Sequence, residues 1–152
     1  MTDLVFGEMN LSEGYFENEK TLNLLGRENL KVKILAQVFE DEKIQKIQQD
    51  KYQEFFQNYD FYESKVPEKV LGYYLNNYEE IIENNEIPDV FDKNHITKES
   101  VLKLIKVSEI VFNQDGTYGY LCICAWEPEN GLAIQLSPEE DNIEVDLMDL
   151  LI

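Results

Sequence analysis

The stretch from Ile110 to Leu136 leaves a folded chain few options. Runs rich in β-branched and aromatic residues, Ile110–Phe112, Thr117–Cys124 and Leu132–Leu136, are separated by two Gly-containing breaks. Asp115-Gly116 predicts a tight hairpin, because Gly takes the positive φ that such a turn requires. Glu127 to Gly131 predicts the second turn, with Pro128 unable to donate to a ladder and Gly131 free to turn left-handed. The chain is therefore expected to be organised around an antiparallel meander.

Upstream, Asp3 to Glu19 predicts short strands broken by Gly7 and Gly14, and Thr21–Leu25 predicts another before Gly26. Leu30–Phe39 alternates polar and apolar residues in its first half, the period-2 mark of a half-buried strand. From Glu42 to Tyr59 the period changes. Ile44, Ile47, Gln48, Tyr52, Phe55, Phe56 and Tyr59 recur at threes and fours, which predicts a helix with Asp41 as its N-cap. Asp60–Lys65 reads as a loop, and Pro67 as the first turn of a second helix ending at Asn84-Asn85-Glu86. Its Gly72 costs about 1 kcal/mol against Ala, which predicts a close helix contact there. After a loop from Ile87 to Asn94, Thr97 caps a helix over Lys98–Ile105, and strand Lys106–Asn113 leads into the hairpin. Asn142–Leu147 alternates as a last strand, and Met148–Ile152 is an apolar tail expected to pack. With no internal repeat and no linker, residues 1–152 read as a single α+β domain. Antiparallel β-meanders are expected at both ends, with two or three helices between them packing on the sheet.

A length of 152 residues suffices for one core without disulfides or metal, and nine Tyr, eight Phe and one Trp argue against disorder. The formal charge is −18, and no Lys or Arg follows Lys106. Such a field repels phosphate backbones and anionic lipid, so direct nucleic-acid or membrane binding is not expected and a basic protein partner is. The N-terminus lacks a signal-peptide pattern and no apolar run reaches membrane length, which predicts a cytoplasmic protein. Cys122 and Cys124 are the only cysteines; on one strand their side chains share a face, as small apolar fillers in a reducing compartment.

Catalytic chemistry is thinly supplied. His95 is the only histidine and lies in a polar loop, so Ser/His and Cys/His nucleophile systems have no other base. Two Cys and one His fall short of a zinc set, and placing Gly116 at the sixth position of a calcium loop would put Cys122 where a bidentate Glu belongs. No Gly-rich phosphate cradle exists. No catalytic residue, metal ligand or cofactor site is therefore assigned. Carboxylate pairs remain: Glu127 and Glu129 flank Pro128, and Glu139, Glu140 and Asp141 cluster nearby, among 31 acidic residues that make such neighbours common.

Asp115-Gly116-Thr117 followed by a strand, and then Trp126-Glu127-Pro128-Glu129-Asn130-Gly131-Leu132-Ala133-Ile134, resembles an uncharacterised bacterial family, domain of unknown function 6985. Its members tend to carry a Trp-acidic-x-Glu-His-Gly pattern before a strand; here Asn130 stands where His is common. The helix Gln48–Phe55 and Tyr73-Tyr74 resemble that family's middle section, so the similarity spans most of the chain. The resemblance implies a small cytoplasmic protein, akin to some immunity-type proteins of bacterial toxin systems.

The functional expectation is a non-enzymatic, acidic protein-binding domain, an immunity or inhibitor protein for a basic toxin or nuclease. Trp126, Glu127, Glu129, Glu139, Glu140, Asp141, Glu144 and Asp146 are its candidate partner-binding residues, expected on an outward-facing sheet surface with Trp126 as anchor. The alternatives are a nucleic-acid mimic that inhibits a DNA- or RNA-binding protein, and a carboxylate-dependent hydrolase using Glu127 and Glu129.

Overall fold

The computed structural model describes residues 1–39 and 42–152. A small hairpin of β1 (Thr2–Asp3) and β2 (Gly7–Glu8) opens the chain. A seven-stranded sheet follows, its strands neighbouring one another in chain order. β3 (Asn10–Ser12), β4 (Tyr15–Leu24) and β5 (Arg27–Gln37) form one antiparallel meander; β6 (Ile105–Phe112), β7 (Tyr118–Cys124), β8 (Glu127–Gln135) and β9 (Glu144–Asp146) form another. The expected meanders thus exist, but as halves of one mixed sheet. Lys33–Ala36 of β5 run parallel to Glu109–Phe112 of β6, an arrangement that only a long crossover permits.

The two strands expected over Tyr15–Leu25 are the single ten-residue β4. Leu25 and Gly26 close it onto β5 with φ of +49° and +83°, the pair of positive angles whose twist matches a two-residue hairpin.

The crossover carries four helices among the described residues, where two or three were expected: α1 (Lys46–Gln57), α2 (Tyr59–Asn76), α3 (Tyr78–Asn84) and α4 (Lys98–Val101). Asp41, the expected cap, lies outside the described residues, and Gln45 precedes α1 instead, its N–H donating to Gln48 Oε1 at 2.7 Å. Gln48 is fully buried, and its amide donates to the Gln37 and Phe112 carbonyls at 2.7 and 2.9 Å, tying α1 to the sheet where the two meanders join.

Asp60–Lys65 is not a loop, and Pro67 lies inside α2 instead of starting it. Proline there leaves the Glu63 carbonyl without its i+4 donor, at about 3 kcal/mol. Tyr62, Val66, Val70 and Tyr74 are each wholly buried on that helix, at roughly 2 kcal/mol apiece, so the packed face outweighs the local rule.

Asn residues divide the helices. Asn58 follows α1 and Asn77 follows α2, each near φ −110° and ψ +15°, and each donates its side-chain amide to the carbonyl four residues back, Glu54 at 2.8 Å and Tyr73 at 2.9 Å. The helix expected to run on to Asn84 is therefore split at Asn77. Gly72 has no close helix contact, since a Cβ there would meet nothing within 4 Å. Thr97 does cap α4, its Oγ1 accepting the Ser100 N–H at 3.1 Å, but the helix gives way to a 3-10 turn at Leu102–Leu104.

The helices cover one face of the sheet. Val32, Ile34, Ala36, Ile110, Phe112, Tyr118, Tyr120, Leu132 and Ile134 pack there against Tyr52, Phe55, Tyr62, Val66 and Tyr74. Cys122 and Cys124 share that face as unpaired, buried thiols. Burial pushes both upward, Cys124 to about 12, which keeps them protonated and unreactive. On the opposite face the C-terminal tail packs as expected, Leu151 against Leu35, Val111, Leu121 and Ala133. Among the described residues no helix is long and apolar enough to cross a membrane.

Candidate functional site

The second turn of the β7–β8 hairpin is where the structure departs furthest from expectation, and the departure builds a cleft. Cys124 pairs with Glu127, so the chain reverses at Ala125-Trp126 and not over Glu127–Gly131. Cys122 pairs with Leu132, which leaves Pro128, Glu129, Asn130 and Gly131 opposite Ile123 alone. Surplus residues on one strand make a bulge, and bulges re-aim side chains. Pro128, which has no N–H for a ladder, sits within it. Gly131 closes it with a φ of +63°, the left-handed turn its sequence context predicted.

The bulge forms one wall of a cavity of about 490 Å³. Trp126, Glu127, Pro128, Glu129 and Asn130 line that side; Tyr73, Asn77, Glu80, Ile81, Asn84 and Asn85 of α2, α3 and their C-caps line the other; Asp146 of the edge strand and Leu147 just after it complete it. Four carboxylates therefore border one concavity, and no Lys, Arg or His is among the lining residues. Glu80, Glu129 and Asp146 are exposed and Glu127 is half-buried. Burial, followed by the Asp146 and Glu127 charges, pushes the Tyr73 phenol above its ordinary range, a local gauge of the negative field.

An aromatic column fixes these walls. Trp126 meets the Tyr74 ring at 5.3 Å and 67°, and Tyr74 meets Tyr78 at 5.7 Å and 72°, both edge-to-face. The Tyr74 hydroxyl donates to the Phe91 carbonyl at 2.6 Å, and that of Tyr78 to Asp92 Oδ1 at 3.0 Å. Asn85 binds across the top, its amide donating to the Ile81 carbonyl at 3.0 Å and the Trp126 carbonyl at 3.4 Å. Helix ends, the 85–92 segment and the hairpin are thereby held to one another.

On the far side of Trp126 and Asn85 lies a second cavity of about 260 Å³, lined also by Glu86, Ile87, Pro88, Phe91, Leu104 and Ala125. It is mainly apolar. Trp126, only 5% exposed, is thus the partition between two cavities and part of the core, not a protruding anchor.

Of the candidate residues, Trp126, Glu127, Glu129 and Asp146 come together here. Glu139, Glu140, Asp141 and Glu144 do not line the cleft. Glu139 accepts from Asn142 Nδ2 at 2.8 Å, and Glu140 lies 3.7 Å from Lys65, so these two secure the loop before β9. The acidic residues beyond Lys106 are divided among several places: strand register puts Glu109, Glu144 and Asp146 on the same sheet face as Leu121 and Ala133, whereas Asp115 is in the first hairpin turn and Glu139, Glu140 and Asp141 precede β9. Among the described residues no three His, Cys, Asp or Glu side chains are arranged to hold a metal ion, so the cleft carboxylates ring a space without meeting at a point. Exposed His95 has Asp92 as its neighbour, at 3.4 Å, far along the chain from this hairpin.

The helix half of the cleft carried no assignment from sequence. Its available signal was the spacing of Tyr73, Asn77, Glu80 and Asn84 at threes and fours, a polar stripe beside the apolar one.

No curated protein and no solved structure matches this chain. The family model described as Domain of unknown function (DUF6985) matches residues 5–152, taking in both meanders, the helices and the whole cleft, and the chain belongs to that family.

Proposed function

We propose that this chain is a non-enzymatic binding domain whose acidic cleft receives a cationic segment of another protein. The observation that carries the proposal is the convergence of Glu80, Glu127, Glu129 and Asp146 on one concavity with no basic lining residue. The aromatic column supports it by presenting the carboxylates on walls already ordered before a partner arrives, which lowers the cost of binding. A net charge of −18 would steer a cationic protein toward it and make the encounter salt-sensitive. The partner on this reading is a basic toxin or nuclease and the chain its cytoplasmic inhibitor; buried, unpaired thiols fit a reducing compartment.

A general acid requires a carboxyl withdrawn from water, and three of the four cleft carboxylates are exposed, which favours binding over hydrolysis. A nucleic-acid mimic requires a long row of charges; here they encircle a hollow.

Blocked tetralysine, titrated while the emission of Trp126 is recorded, tests the reading, since Trp126 is the only tryptophan and borders the cleft. Saturable change that weakens with added salt, and is lost in the Glu127→Gln/Glu129→Gln/Asp146→Asn variant, is expected. Unchanged emission, or equal binding by the neutralised variant, overturns it.

A further inference from the structure

Resting on that reading of the acidic cleft, we infer that the segment received is extended and amphipathic, with a basic side chain and an apolar side chain on adjacent residues. The acidic cavity and the apolar cavity share two lining residues, which on this reading are the ridge between two halves of one groove. Asn85 and Trp126 line both, and the hydrogen bond from Asn85 Nδ2 to the Trp126 carbonyl joins them into that ridge. In an extended chain successive side chains point to opposite sides. A strand laid along the ridge therefore delivers one residue to each cavity, and its neighbours cannot both enter the same one.

Chemistry assigns which residue goes where. On one side Glu80, Glu127, Glu129 and Asp146 complement Lys or Arg. On the other, Ile87, Phe91, Leu104 and the Trp126 ring surround a space of about 260 Å³, enough for one Leu-sized side chain. A purely basic peptide fills half of the groove and leaves the apolar half in contact with water. A purely apolar one forgoes the carboxylates. Docking sites of this kind gain specificity from the apolar pocket and encounter rate from the charge.

Three blocked tetrapeptides separate the possibilities: Gly-Leu-Lys-Gly, Gly-Ser-Lys-Gly and Gly-Leu-Glu-Gly, each titrated against the whole chain with Trp126 emission as the readout. Gly-Leu-Lys-Gly is expected to bind at least tenfold more tightly than either of the others. The Ile87→Asp variant, checked by circular dichroism for an unchanged fold, should erase the advantage of Leu over Ser while keeping the preference for Lys over Glu. Equal binding of the Leu-Lys and Ser-Lys peptides overturns the two-cavity groove and leaves the acidic cleft standing. Equal binding of Leu-Lys and Leu-Glu overturns the charge reading together with it, as does the failure of all three to bind.

Discussion

Replacing Gly131 by Ala tests whether the bulge that builds the cleft is held by the geometry described. A Cβ on Gly131 would lie 2.6 Å from the Cys122 carbonyl oxygen and 3.2 Å from Met148 Sδ. The methionine can swing away. The carbonyl cannot, because it belongs to the backbone of β7 beside the Cys122–Leu132 pair. An ordinary contact needs roughly 0.8 Å more, so the strands must part locally, and the φ of +63° adds about 1–2 kcal/mol for an L side chain. Together these predict a loss of about 3 kcal/mol. At about 3 °C per kcal/mol for a chain of this size, the melting temperature should fall by about 9 °C. Asn tolerates the left-handed region, so Gly131→Asn would recover most of the loss if dihedral strain were the whole cause. The backbone contact predicts instead that Asn is nearly as harmful as Ala. Thermal melts of both variants followed by circular dichroism decide it. A fall of under 2 °C in Gly131→Ala, or near wild-type behaviour in Gly131→Asn, would refute the clash.

Gly72→Ala should act in the opposite direction, because a Cβ there meets nothing within 4 Å and the site is in the interior of α2. A gain of about 1 kcal/mol, seen as a rise of about 3 °C in the same melt, is expected, and a loss would mean that a helix contact exists after all. Glu63 supplies a pH signature. Burial raises its pKa, against the opposing hydrogen bonds from the Leu25 N–H and the Tyr59 hydroxyl. A folded-state pKa above the unfolded one means that Glu63's contribution is fully present below about pH 4 and is lost as pH rises through the folded value. Glu63→Gln retains an acceptor for Leu25 and carries no charge, so its stability relative to wild type should increase between pH 4 and pH 7 in denaturant titrations. A difference that is flat or shrinking over that range would contradict the shift.

Much of the sheet was legible because period-2 alternation and Asp115-Gly116 are local signals, readable without knowing what lies opposite. Asn113 and Thr117 close that hairpin as expected, with Asp115 accepting both the N–H and the hydroxyl of Thr117. What escaped is what depends on partners distant in the chain. The parallel pairing of β5 and β6 joins residues more than seventy positions apart, and nothing within either strand specifies it. Pro67 reads as a helix start by local rule, yet Tyr59, Tyr62, Val66 and Val70 already carry a helical spacing through it, and burial prevailed over the proline.

The cleft follows the same division. Its hairpin half is legible in the concentration of Trp126, Glu127 and Glu129, although the chain reverses earlier than their context predicts. Pro128 and Gly131 read locally as the reversal itself, whereas they form a bulge after a tighter reversal at Ala125-Trp126. Had the chain turned at Gly131, the Glu127–Asn130 segment would extend the loop away from the helices. By turning earlier, it keeps Cys124 paired with Glu127 and brings the surplus residues to the same cavity as Asn77, Glu80 and Asn84. Acidic residues scattered through a sequence of this composition carry little meaning singly. Four of them acquire one because a misfit of three residues between two strands, and two helix breaks made by Asn77 and Asn85, bring them to the same concavity around a buried tryptophan.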